Sequence, residues 1–72
     1  MLEDGIYDVV VVDAEGISEG AIALEMAVIG GQHKGEIIRL TAAGIERDPL
    51  DLLAVPATLT VRDGVPHVRL EG

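Results

Sequence analysis

Apolar and polar residues alternate along most of this chain with a period of two, the repeat of strands rather than helices. The first such segment, GIYDVVVVDAEG from Gly5 to Gly16, is rich in β-branched residues and contains four consecutive valines, Val9 to Val12. A strand with one face in water alternates strictly. An apolar run on both faces predicts a strand covered on both sides, or one bent and shared between two sheets. After a turn at GISEG, the segment Ala21 to Ile29 alternates large and small side chains. Ile22, Leu24, Met26 and Val28 are expected in the core. Ala21, Ala23, Glu25, Ala27 and Ile29 form a second face, whose small residues allow close approach of another element or subunit. Ala, Leu, Glu and Met are good helix formers, but the strict alternation between bounding glycines favours a strand. Glu36 to Gly44 predicts a third strand, with Ile38 and Leu40 on one face and Arg39 and Thr41 on the other.

The pattern then changes. In RDPLDLLAVP, Asp48 stands at an N-cap position, Pro49 at the first helical position and Asp51 two residues on. These are helix-start signals, and Pro56 ends the segment. One or two helical turns are predicted, with Leu50, Leu52 and Leu53 available to plug an apolar end. The closing segment, ATLTVRDGVPHVRLEG, places Asp63-Gly64 between two alternating runs, the signature of a type I′ hairpin. Leu59, Val61, Val68 and Leu70 are expected inside; Thr58, Thr60, Arg62, His67, Arg69 and Glu71 are expected in water. Pro66 lacks a ladder donor and suits an edge strand.

Three strands, a short helix and a hairpin make an all-β domain spanning residues 1–72. Five strands with one helix between the third and fourth is the order of a small OB-like barrel; an SH3-like barrel is the alternative. In the OB arrangement the first strand is bent and shared, which accounts for the valine run, and the leucines of the helix cap the open end.

Composition sharpens this picture. The chain has 72 residues, 49% of them hydrophobic but only 1% aromatic, so the core must be built from aliphatic side chains. A chain this short buries only about 60% of the surface its unfolded form exposes, and with no cysteine it has neither disulfides nor a thiolate metal site. A homo-oligomer, or another protein partner, would supply the missing buried area. The net charge is −8, from 13 acidic and 5 basic residues. That balance disfavours nucleic acid, whose non-specific binding rests on phosphate contacts from basic surface. The acidic start MLEDGIYD does not resemble a signal peptide, and the longest apolar run is too short to cross a bilayer. The expectation is a cytoplasmic protein with no membrane partner.

The candidate chemistry lies in VIGGQHKGEIIRL, Val28 to Leu40, where apolar runs flank a glycine-rich loop carrying His33 and the chain's single lysine, Lys34. A phosphate loop of the Walker type needs lysine after its last glycine and a helix behind it. Here Glu36 succeeds Gly35 and a strand comes next, so the loop reads as a hairpin connection with a basic tip. Gly5, Tyr7, Gly31, His33, Lys34 and Gly35, within the first 40 residues, make the chain similar to small phage-encoded OB-fold proteins thought to act on single-stranded DNA. A nucleic-acid reading would use the loop at His33 and Lys34 together with Arg39, Arg62 and Arg69, with Tyr7 as its lone stacking ring; such binders generally stack bases on aromatic side chains. The same loop resembles the strand–turn–strand motif of SH3-like barrels in ribosome-associated and transcription-elongation proteins. His67 is the further member of this candidate cationic patch. Glu36, Asp63 and Glu71 are expected to pair with the arginines as surface ion pairs.

Catalysis draws no support from the sequence. Ser18 is the only serine, the histidines have no ligand companion at metal-binding spacing, and DAEGISE lacks the calcium-loop pattern. No cofactor or metal is expected. The sequence points to a non-enzymatic binding or assembly module that self-associates or binds a protein; the alternative is an accessory single-stranded nucleic-acid-binding protein.

Overall fold

The computed structural model describes residues 2–45 and 47–71. Five antiparallel strands form one curled sheet: β1 (Gly5–Ser18), β2 (Ala21–Val28), β3 (Ile37–Ala43), β4 (Pro56–Arg62) and β5 (Val65–Leu70). Their order is β3-β2-β1-β4-β5. This is the expected all-β, OB-like arrangement, curled into a half-barrel that stays open between β3 and β5.

The long first strand is what curls the sheet. Residues 5–10 of β1 pair with β4, while Val9 onward pairs with β2. Register shifts between Val11 and Asp13, and again between Gly16 and Ser18, mark bulges that bend the strand. The valine run is therefore shared, as its composition implies, but it is not covered on both sides. Val9 and Val11 are buried, whereas Val12 on the convex face is exposed. The concave face holds the core: Ile22, Leu24, Met26 and Val28 of β2 meet Val9, Val11, Leu59 and Val61, all buried. Tyr7, Ile38, Leu40, Val68 and Leu70 are partly buried around them. Aliphatic interdigitation between β1, β2 and β4 is the main source of stability, at roughly 1.5–3 kcal/mol per fully buried Val, Leu, Ile or Met side chain.

The predicted helical segment is a single 3₁₀ turn, Pro49–Leu52, and the described residues contain no α-helix. Its start is as read: the Asp48 carboxylate accepts from the Leu50 amide at 2.9 Å, and Pro49 occupies the first turn. Its continuation loses to β1. Leu53 is already extended, Ala54 takes a φ of 65°, and the Ala54 amide donates to the Val11 carbonyl at 2.8 Å. The chain thus exchanges a second helical turn for a place beside the first strand. Only Leu52 plugs the core, fully buried, while Leu50 is 75% exposed and Leu53 is also in water.

The terminal hairpin forms as its sequence implies. Asp63 and Gly64 both have positive φ, 53° and 76°, the requirement of a type I′ turn. The Asp4 carboxylate accepts from the Asp63 and Gly64 amides at 2.8 and 3.1 Å, tying the chain's start to this turn.

Candidate binding surface

The glycine-rich loop is a structural connection closed by its own backbone. The Gly35 amide donates to the Val28 carbonyl at 2.8 Å, and the Glu36 amide to the His33 carbonyl at 3.0 Å. Gly31 and Gly35 have φ of 80° and 92°, conformations that side chains resist. The His33 ring pairs with the Glu36 carboxylate and meets Tyr7 edge-on, with ring centroids 5.8 Å apart. Tyr7 itself lies on the concave face opposite Leu59, and its hydroxyl donates to the Glu3 carbonyl. Its ring seals one end of the core and does not stand out on the convex face.

The basic residues are scattered. Lys34 is exposed at the loop tip. Arg39 projects from the convex face of β3 and pairs with Glu25 of β2, rather than with Glu36 as anticipated. Among the described residues the ion pairs are His33–Glu36 and Arg39–Glu25; Asp63 and Glu71 form none. Arg62 and Arg69 share the outward face of the hairpin but do not adjoin. Arg69 stands opposite Thr58 and Arg62 opposite Val65, which separates them by about 13 Å along the strands. His67 lies between them, opposite Thr60. Arg39 and Arg69 sit on strands at opposite edges of the sheet.

What the register does bring together is an apolar row across the convex face. Ile37 of β3 pairs with Ala27 of β2, Ala27 with Val10 of β1, and Val10 with Pro56 of β4. Ile37 is 54% exposed, and Val12 and Ile29 nearby are similarly open. Polar rows flank it on either side: Arg39, Glu25 and Asp13 above, Asp8, Thr58 and Arg69 below. An exposed apolar strip with a polar rim is the character of an interaction surface. Ala27 is legible from sequence as part of a small-residue face. Val10, Ile37 and Pro56 are not, because only strand register aligns positions so far apart in sequence.

A second feature lies at the open seam. Between β3 and the β4–β5 hairpin is a groove of about 340 Å³, lined by Leu2, Ile38, Leu59, Val61 and Pro66 with Glu36 and Arg39 at its rim. It is mainly apolar and bordered by two unpaired strand edges. Among the described residues, no group of three acidic, His or Cys side chains is placed to hold a metal, and no helix is long and apolar enough to cross a membrane. Comparison with family models, curated proteins and solved structures finds no match to this chain.

Proposed function

We propose that this chain is a non-enzymatic binding and assembly module that associates with copies of itself or with another protein. One observation carries the reading: the uninterrupted row Ile37–Ala27–Val10–Pro56, apolar across four strands, with Ile37 and Pro56 exposed and Ala27 and Val10 half-buried between them. A domain of this size has little core to spare, and covering such a row adds buried apolar area at roughly 25 cal/mol per Å². The alternative, an accessory single-stranded nucleic-acid binder, needs its cations on one side, and neither their scatter nor the inward position of Tyr7 favours it.

The test is molar mass by light scattering across a concentration series. The expected result is a mass above the 7.5 kDa of one chain, or capture of a protein partner with the same surface requirement. Ala27→Glu, which places a charge in the middle of the row, should abolish association through that row while leaving the fold intact. A wild-type protein that is monomeric at every concentration would remove self-association from the reading.

A further inference from the structure

The two strands that flank the open seam differ in how they present their free edges. The Val28 amide bonds to the Glu36 carbonyl, and the Gly44 amide to the Gly20 carbonyl. Antiparallel pairs alternate between bonded and non-bonded, so Met26–Ile38, Leu24–Leu40 and Ile22–Ala42 are the bonded pairs of β2 and β3. The amides and carbonyls of Ile37, Arg39, Thr41 and Ala43 therefore point away from β2, along a free edge. Nothing in the seven residues of β3 protects that edge: it has no proline, no bulge, no lysine and no acidic residue. Its one charge, Arg39, is already held by Glu25. In a chain of net charge −8, this is a strand without carboxylates to repel its own likeness. Its inward residues are also left short of cover. Ile38, Leu40 and Ala42 are only half-buried, whereas their partners Met26, Leu24 and Ile22 are fully buried.

We infer that the occupant of this edge is a second copy of the same strand, paired antiparallel about a two-fold axis at Leu40. The inference rests on the assembly reading above and names its partner. The register is set by the free groups. Pairing Ile37 with Ala43 of the second copy, and Arg39 with its Thr41, engages all four outward residues of each strand in about eight backbone hydrogen bonds. A shift in one direction sets Arg39 against Arg39 and leaves Ala43 unpaired; a shift in the other leaves Ile37 unpaired. In the favoured register Leu40 meets Leu40 of the second copy, and Ile38 meets its Ala42. The concave faces of the two sheets then run together and cover the half-buried side chains.

Thr41→Pro tests this directly. Its amide faces the free edge, so proline there leaves the β2 ladder intact while blocking the new one; Thr41→Lys does the same with a charge. In sedimentation velocity the wild type is expected to run at twice the chain mass. Both variants should raise the dimer dissociation constant by about a hundredfold or more, with the far-ultraviolet circular dichroism unchanged. The chain has no cysteine, so single-cysteine variants give the register: Leu40→Cys should form a disulfide-linked dimer on mild oxidation. Should Leu40→Cys fail to fold, a mixture of Ile38→Cys and Ala42→Cys chains should cross-link while each alone does not. A dimer that survives Thr41→Pro and Thr41→Lys but dissociates with Ala27→Glu would overturn edge pairing and leave the assembly reading standing. A monomeric wild type would overturn edge pairing and leave only a protein partner in the assembly reading.

Discussion

The two edges of this sheet are managed in opposite ways. At the β5 edge the hairpin turn is held by Asp4, which reaches across to the Asp63 and Gly64 amides, and Pro66 removes a donor from the strand itself. At the β3 edge there is neither a pin nor a proline. Strand edges invite pairing unless something blunts them. A chain that blunts one edge and leaves the other bare keeps a single direction in which its sheet can grow.

The largest test of this contrast is in packing. Leu59 of β4 is fully buried, so Leu59→Ala should cost about 2–5 kcal/mol, enough to unfold much of a domain this small. Leu40→Ala on β3, measured at concentrations low enough to keep chains apart, should cost distinctly less. Chemical denaturation of both variants makes the comparison, and equal losses would mean that β3 is as well packed as β4.

Next come the pins of the β5 edge. Gly64 has a φ of 76°, so Gly64→Ala should lower stability by about 1–2 kcal/mol. Asp4→Ala, which leaves two turn amides to water, should cost about 1 kcal/mol. Faster amide hydrogen exchange at residues 63 and 64 is expected in Asp4→Ala; unchanged exchange would mean that Asp4 does not hold the turn. A subtler change tests the blunting itself. Pro66→Val restores the missing donor on β5 and should shift stability by no more than about 0.5 kcal/mol, yet give higher-order association in light scattering. No added association would show that Pro66 does not guard this edge.

The smallest effects belong to the charges. Glu25→Gln removes the partner of Arg39, a surface pair worth about 0–1 kcal/mol, and should be nearly silent in thermal melts. Lys34→Glu should alter neither the stability nor the anisotropy of labelled single-stranded DNA at physiological salt. Saturable, salt-sensitive DNA binding lost in Lys34→Glu would replace the assembly reading with the nucleic-acid one.

The fold is largely legible in the sequence because its signals are local. The alternation of Ala21 to Ile29 places β2, Ala21–Val28, to within one residue, and Asp63-Gly64 identifies the turn. The helix is shorter than its signals imply, for a reason equally plain. Asp48 and Pro49 start a helix wherever they stand, but whether it continues depends on the free carbonyl of Val11, far away in the chain. The candidate site is less legible than the fold. Lys34, Arg39, Arg62 and Arg69 are easily seen as candidate cations, yet their grouping depends on register, and the register disperses them.

Periodicity, turn chemistry and the aliphatic composition by themselves determined that this chain forms five strands around a ring-poor core. Each of these acts within a few residues, through the period-two geometry of a strand or the φ that a turn demands. Only the tertiary structure decided that β1 would join β4 to β2, and that β3 and β5 would remain apart. It also decided that Val10, Ala27, Ile37 and Pro56 would meet in one row. Those outcomes depend on which backbone groups remain unpaired once all the strands have found neighbours, a property of the assembled sheet that no single segment carries.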